Sequence, residues 1–341
     1  MSRNGGGVSR CAMMKVITVR KPGGAEELAM GRRSKPKPGP REVLVRVAAT
    51  ALNRADLLQR EGKYPPPKGA SDVLGLEVAG TVEAAGAEVR RWKPGDRVFG
   101  LLAGGGYAEY AVMHEDMAMA VPNGLSFEEA ASLPEAFLTA YQALYWLGDL
   151  LPGERVLIHA GASGVGTAAT QLVRAAGAHP YVTASAAKHE RCRSLGAELT
   201  IDYRTEDFVE RMRGATGGHG ADLILDFIGA PYFVRNLRTL AVDGRLVLLA
   251  TMGGAAVERL DLRRLFKKRA RVVASTLRNR SLDYKIRLTK EFAPLLRFLL
   301  EEGRVRPVID SVFDWEDVAE AHRRMEANRN VGKIVLRVGG A

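Results

Sequence analysis

Three glycines, and a short polar stretch downstream of them, are the residues of this chain whose spacing first suggests chemistry. Gly161, Gly164 and Gly166 fall in VLIHAGASGVGTAATQLV (Val156 to Val173), where an apolar, β-favouring run meets a small-residue turn and then an Ala-rich helical pattern. Such a strand–turn–helix offers a pyrophosphate the unpaired N–H groups and positive dipole end of a helix, and glycines let the backbone come close. The spacing departs from the strict Gly-x-Gly-x-x-Gly pattern, so an ordinary βα turn with packing glycines competes until the surrounding chain is considered. In a dinucleotide unit, an acidic side chain about 20 residues past the glycines accepts from the ribose 2′-hydroxyl. Here that region reads VTASAAKHER, with no carboxylate before Glu190. Ser185 and Lys188 are donors suited to a 2′-phosphate, and Tyr203 can flank the adenine end, so NADPH is expected over NADH. The competing reading of Lys188 is a solvated helix residue.

The elements needed to hold these groups are present on both sides. From Arg155 to Ser275, six strand patterns alternate with helical segments: Arg155 to Ala160, Pro180 to Ala184, Leu199 to Tyr203, Asp222 to Gly229, Gly244 to Ala250 and Ala270 to Ser275. Near-continuous apolar strands separated by helices predict a parallel sheet covered on both faces, here a doubly wound, six-stranded Rossmann arrangement. Ahead of it, EVLVRVAAT (Glu42 to Thr50), EVAGTVEAAG (Glu77 to Gly86) and neighbouring short strands, broken by Pro/Gly-rich connections, predict a β-rich barrel-like domain. Ser126 with Glu129 three residues on is a helix N-terminus signature. After Arg278, a long helical pattern, a second helix and the strand KIVLRV make a tail too short to be a domain; it is expected to return to the β-rich part.

The bulk properties agree. A chain of 341 residues predicts about two domains. Hydrophobic content of 46% with 26% charged residues is that of a globular chain, and no apolar run is long enough for a membrane helix, so no membrane partner is expected. The polar, Gly-rich start reads as a disordered extension over residues 1–13, with Met13 or Met14 as alternative starts and no secretory pattern. Two distant cysteines, Cys11 and Cys192, make no disulfide framework, which suits a cytoplasmic protein. The net charge of +11 is dispersed apart from RRLFKKRAR (Arg263 to Arg271), and fits attraction of an anionic cofactor. The aromatic-basic interleaving of an RNA platform is missing, so a nucleic-acid partner is disfavoured.

From Met14 onward the chain resembles the medium-chain dehydrogenase/reductase superfamily. The segments that carry the resemblance are ALNRADL (Ala51 to Leu57), GLEVAGTV (Gly75 to Val82), KPGDRV (Lys93 to Val98), the Gly-rich turn and GKIVL (Gly332 to Leu336). In the zinc alcohol dehydrogenases of that group a Cys stands where this chain has Asn53, and a His where it has Leu76; neither residue can ligate a catalytic zinc, and no metal is expected. GERVLIHAGASGVGTAATQLVR (Gly153 to Arg174) looks like the signature of the zinc-free quinone oxidoreductases. Ser163, together with LNRADLLQREGKYPPP, LPEAFLTAYQ and MEANRNVGKIVL, is most similar to the tumour-suppressor-induced subgroup.

The resemblance implies a GroES-like catalytic domain (residues 14–130), an inserted NADP-binding Rossmann domain (131–276), and a return (277–341) that completes the first domain. It implies NADPH-dependent reduction of quinones or similar conjugated carbonyl acceptors without metal or flavin, and a homodimer. By motif, Tyr64 faces nicotinamide and acceptor, as a proton donor or a shaping group. Asn53 reaches the nicotinamide side, Asp56 caps or braces a helix, and Thr139 meets the carboxamide. Ser163, Gly164 and Val165 meet the pyrophosphate, Met252 and Gly253 lie by the nicotinamide ribose, and Arg278 and Asn330 are further cofactor contacts. His159 reads as a packed core residue. Reduction of enones, 2-alkenals or enoyl thioesters on the same fold is the alternative, followed by an RNA-binding relative with weak activity.

Overall fold

The computed structural model describes residues 12–339. β1 (Met13–Val19) and β2 (Leu28–Ser34) form an antiparallel two-stranded sheet. β1 thus opens at Met13, inside the span expected to be an extension; residues 1–11 of that span lie outside the described residues. β3 (Glu42–Ala51) leads into the short helix α1 (Arg54–Arg60), and β4 (Glu77–Ala85), β5 (Arg97–Leu101), β6 (Tyr110–His114) and β7 (Ala118–Ala120) follow. α1 starts where it does because the Asp56 carboxylate, three residues on, reaches back to accept the Asn53 N–H at 2.7 Å. The same device, Ser126 with Glu129, starts α2 (Phe127–Ala131). α3 (Pro134–Tyr141) opens on a proline and runs on through a π-helical stretch at Gln142–Leu147.

The α/β part begins at β8 (Arg155–Ile158), followed by α4 (Gly164–Ala175), β9 (His179–Ala184), α5 (His189–Ser194), β10 (Leu199–Asp202) and α6 (Phe208–Ala215). It continues through β11 (Ala221–Asp226), α7 (Ala230–Thr239), β12 (Leu240–Leu248), α8 (Arg263–Lys268) and β13 (Arg271–Ala274). The six strands lie in the order β10-β9-β8-β11-β12-β13, every neighbouring pair parallel. The chain therefore winds outward from β8 to β10, returns, and winds outward again from β11. The crevice at that reversal, beyond the carboxyl ends of β8 and β11, is where such sheets bind ligands.

The long helix α9 (Leu282–Glu301), β14 (Ile309–Asp314), α10 (Val318–Glu326) and β15 (Lys333–Arg337) close the chain. β15 pairs antiparallel with β3, joining Val335 to Ala51 and Arg337 to Ala49. The main sheet of the β-rich part is thus β14-β15-β3-β4-β5-β7 with β6 on β3, and the last strands do rejoin the first ones. No helix among the described residues is long and apolar enough to cross a membrane.

Candidate active site

The glycine turn follows β8 directly. Ala160 takes a left-handed backbone (φ 51°), and the Ser163 hydroxyl accepts the Gly166 N–H at 3.1 Å, capping α4. The glycines mark close approaches: a β-carbon on Gly166 would meet the Ala160 carbonyl, and one on Gly164 would sit 2.6 Å from Lys333 Cδ. The turn is therefore seated on the closing strand of the other sheet. Gly332 N–H donates to Ala162 O at 2.9 Å, tying the same two segments together.

Lys333 is the centre of a buried polar network. Its ammonium donates to Leu52 O and Asn53 Oδ1, both at 2.6 Å, and pairs with Glu77 Oε1 at 2.8 Å. Glu77 also accepts from Asn53 Nδ2 and from the backbone N–H of Glu135, each at 2.8 Å. The Asn53 amide is thus committed at both ends. Asp56 takes the N–H groups of Asn53 (2.7 Å) and Gly75 (3.0 Å), and burial raises its carboxyl to about 6 against those bonds. It braces α1, as expected from the sequence. Glu77 and Lys333 were missed as individual residues, although a carboxylate inside the apolar strand GLEVAG was a visible signal.

In front of this network, the segment after β13 and the loop after α1 meet. Arg278 donates through Nε to Ala103 O (2.9 Å) and through Nη2 to Gln59 Oε1 (2.6 Å), and its guanidinium lies 5.2 Å from the Tyr64 ring centre. Its Nη1 is buried without a partner. Desolvation raises the Tyr64 phenol, against the pull of Arg278, so the phenol keeps its proton. Thr139, on α3, also buries an unpartnered hydroxyl. Glu135, one turn before it, carries a carboxyl that burial and the nearby Glu77 push up to about 8. Glu135 carries no signal in the sequence, since a glutamate in a helix's first turn ordinarily only complements the dipole.

A second group collects beyond β9 and β10. Pairing of Asp202 with Ala184 sets Ser185 and Tyr203 side by side at the strand ends, and Tyr203 is 44% exposed. Lys188 does not extend freely: its ammonium donates to Asn328 O (2.7 Å) and Asn330 O (2.8 Å), while the Asn330 amide donates to Gly332 O (2.8 Å). Met252 and Gly253 follow β12, held by backbone bonds to Phe227 O and Ile228 O. His159 lies inside the sheet's core, between Thr183 Oγ1 (3.0 Å) and Asn236 Oδ1 (2.7 Å), and burial lowers it to about 4. Leu76 is buried. Among the described residues, no three His, Cys, Asp or Glu side chains gather as metal ligands.

A parallel sheet with this reversal, and a glycine turn on its first strand, define a dinucleotide-binding type of fold. Comparison with known proteins agrees. A family model described as an alcohol dehydrogenase GroES-like domain matches residues 39–123, and one described as a zinc-binding dehydrogenase matches residues 195–336. The synaptic vesicle membrane protein VAT-1 homolog of Danio rerio is 35% identical over 319 residues, which is 89% of this chain and 66%, just under two thirds, of that protein. A mycocerosic acid synthase-like polyketide synthase of Mycobacterium tuberculosis is 32% identical over 94% of this chain, which spans 15% of the synthase. Among solved structures, a quinone oxidoreductase of Pseudomonas syringae pv. Tomato DC3000 is 32% identical with a TM-score of 0.84, covering 95% of this chain and 99% of that one. The mycobacterial Rv1454c complexed with NADPH is 32% identical (TM-score 0.82, 95% and 99% covered), and the CurK enoyl reductase 30% identical (TM-score 0.83, 96% and 99% covered). The chain belongs to the medium-chain dehydrogenase/reductase superfamily, in its zinc-free, quinone-oxidoreductase-like branch.

Proposed function

We propose that this protein is an NADPH-dependent reductase of quinones and related conjugated carbonyl acceptors. The observation that carries the reading is the buried, unpartnered Thr139 hydroxyl on α3, the helix whose Ala136 would touch a β-carbon on Gly164 at 3.9 Å. Buried hydroxyls are nearly always satisfied, and a nicotinamide carboxamide would satisfy this one. When bound, the reduced nicotinamide supplies the hydride. Ser163, Gly164 and Val165 would receive the pyrophosphate at the start of α4, with Met252 and Gly253 beside the ribose. Ser185, Lys188 and Tyr203 would hold the 2′-phosphate and adenine end, with Asn330 anchoring Lys188. Asn53 serves as a positioning residue, since both ends of its amide are already bonded.

With an amide at position 53 and a buried leucine at 76, no zinc is available to polarise a simple carbonyl or alkoxide. The acceptor must then be activated by its own conjugation, and the pocket's work is orientation plus donors where negative charge develops. Tyr64, beside Arg278 and with its phenol protonated, would serve there as a hydrogen-bonding or shaping group. We propose a homodimer as well: β13 is an open sheet edge, and Phe266 (80% exposed), Leu262 (58%) and Val272 (39%) leave apolar surface beside it.

The kinship with enoyl reductases and polyketide synthases favours a second reading, reduction of enones or enoyl thioesters in the same cleft. One panel decides. NADPH and NADH oxidation are measured against quinones, 2-alkenals and enoyl thioesters. The proposal expects NADPH-preferring turnover of quinones; turnover of enoyl thioesters or enals with no quinone activity refutes it.

A further inference from the structure

Every residue of α3 is fully buried except two, the half-buried Glu135 and Thr139, which lie one turn apart on the same face of the helix. That face is the one that carries the unpartnered Thr139 hydroxyl. Glu135 is the only carboxylic acid of the helix. Its backbone N–H is spent on Glu77 (2.8 Å), yet its own carboxyl takes no hydrogen bond from any described residue. All the other acids beside it are committed: Glu77 to Lys333, Asn53 and the Glu135 N–H, and Asp56 to two backbone N–H groups. We propose that Glu135 is the general acid of this cleft, delivering a proton to the acceptor oxygen on which negative charge develops. The proposal rests on the reductase reading above.

The step balances. The acceptor gains two electrons as a hydride from the reduced nicotinamide. The Glu135 O–H bond breaks, an O–H bond forms on the acceptor oxygen, and the carboxylate left behind regains a proton from solvent. The surroundings suit such a donor. On the barrel side Glu77 and Asp56 oppose ionisation of Glu135 while Lys333 favours it; from the facing segments Arg278 and Lys285 favour it, and Tyr64 stands neutral between them. Burial outweighs the cations and the positive end of α3, so the proton is retained to about 8. A carboxylic acid kept neutral at pH 7 is the form that can donate.

Two measurements test this. Carboxyl-labelled glutamate NMR on the ligand-free protein should show one signal titrating near pH 8, which Glu135→Gln removes. In steady-state assays with NADPH and an accepted quinone or enal, wild-type kcat should fall as pH rises through about 8, because the active form is the protonated one. Glu135→Gln should lower kcat by at least about 10²-fold, lose that alkaline limb and its solvent isotope effect, and leave NADPH affinity unchanged. Glu135→Asp should restore a limb and part of the rate. A Gln variant that keeps the wild-type kcat and limb, or a Glu135 signal in the ordinary carboxyl range, overturns the role of Glu135 alone. A wild-type protein that oxidises NADPH with no conjugated acceptor overturns the reductase reading and this role with it.

Discussion

Replacing Lys333 by methionine isolates the network beneath the glycine turn. The lysine ammonium serves three oxygens at 2.6, 2.6 and 2.8 Å, and the two side chains of its ion pair with Glu77 are 5% and 0% exposed. Methionine keeps most of the stem and removes the charge. Glu77 then retains only Asn53 Nδ2 and the Glu135 N–H as donors, an uncompensated charge with no access to water. Breaking one side of a buried pair costs about 3–5 kcal/mol, and the cost should appear in urea unfolding followed by the buried Trp315. Adding Glu77→Gln removes the stranded charge. The double variant should therefore be more stable than the sum of the single losses, by roughly 2–3 kcal/mol. Because the turn rests on Lys333 Cδ, which methionine largely replaces, NADPH affinity of the folded variant should change little, whereas Lys333→Ala should weaken it. A methionine variant that loses less than about 1 kcal/mol, or strictly additive singles, would refute the idea that this pair ties β15 to β4 across β3 beneath the glycine turn.

Thr139→Val separates binding from stability. Removing a buried hydroxyl that has no partner relieves about 1–3 kcal/mol of desolvation cost in the free protein, so its thermal midpoint should rise. The stabilisation conferred by added nicotinamide cofactor should fall at the same time; a variant that loses stability without ligand and keeps full affinity would sink the carboxamide assignment. Lys188→Ala should weaken NADPH by roughly ten- to a hundredfold, the worth of one charge-assisted contact. Since Lys188 also holds the Asn328 and Asn330 carbonyls, a smaller loss is expected for NADH. Equal losses measured by fluorescence titration would reduce Lys188 to a strut for that loop.

The parts of this molecule that could be read in the sequence are those set by local pattern. Six strand runs between Arg155 and Ser275 became six parallel strands, because apolar runs flanked by helices have few other ways to be buried. The Ser126–Glu129 signature became a capping box because both partners lie within one helical turn. Groups whose meaning depends on distant partners were harder to see. Glu77 and Lys333 stand 256 positions apart (333 less 77) and meet only because β15 returns beside β3. Lys188 reads in the sequence as a phosphate donor or a solvated helix residue; the fold bonds it to the Asn328–Asn330 segment 140 or more positions away. Nothing local in LPEAFLTAYQ marks Glu135; only the folded cleft supplies the burial that makes it a retained proton.

The distribution of satisfied and unsatisfied polar groups divides the cleft in two. Behind the glycine turn, Asn53, Asp56, Glu77 and Lys333 bond one another and the backbone, so this layer is rigid and has nothing left to offer a ligand. The three buried side-chain atoms without partners among the described residues are Thr139 Oγ1, Gln142 Oε1 and Arg278 Nη1. They lie on α3 with its π-helical continuation, and on the segment that covers Tyr64. Native interiors leave few such groups, and those that remain call for an explanation. Two of the three, the Thr139 hydroxyl and Arg278 Nη1, are donors that a ligand lying between α3 and the Arg278 segment would satisfy together. The back layer thus fixes geometry and the front layer supplies donors, which is the division of labour that reduction without a metal requires.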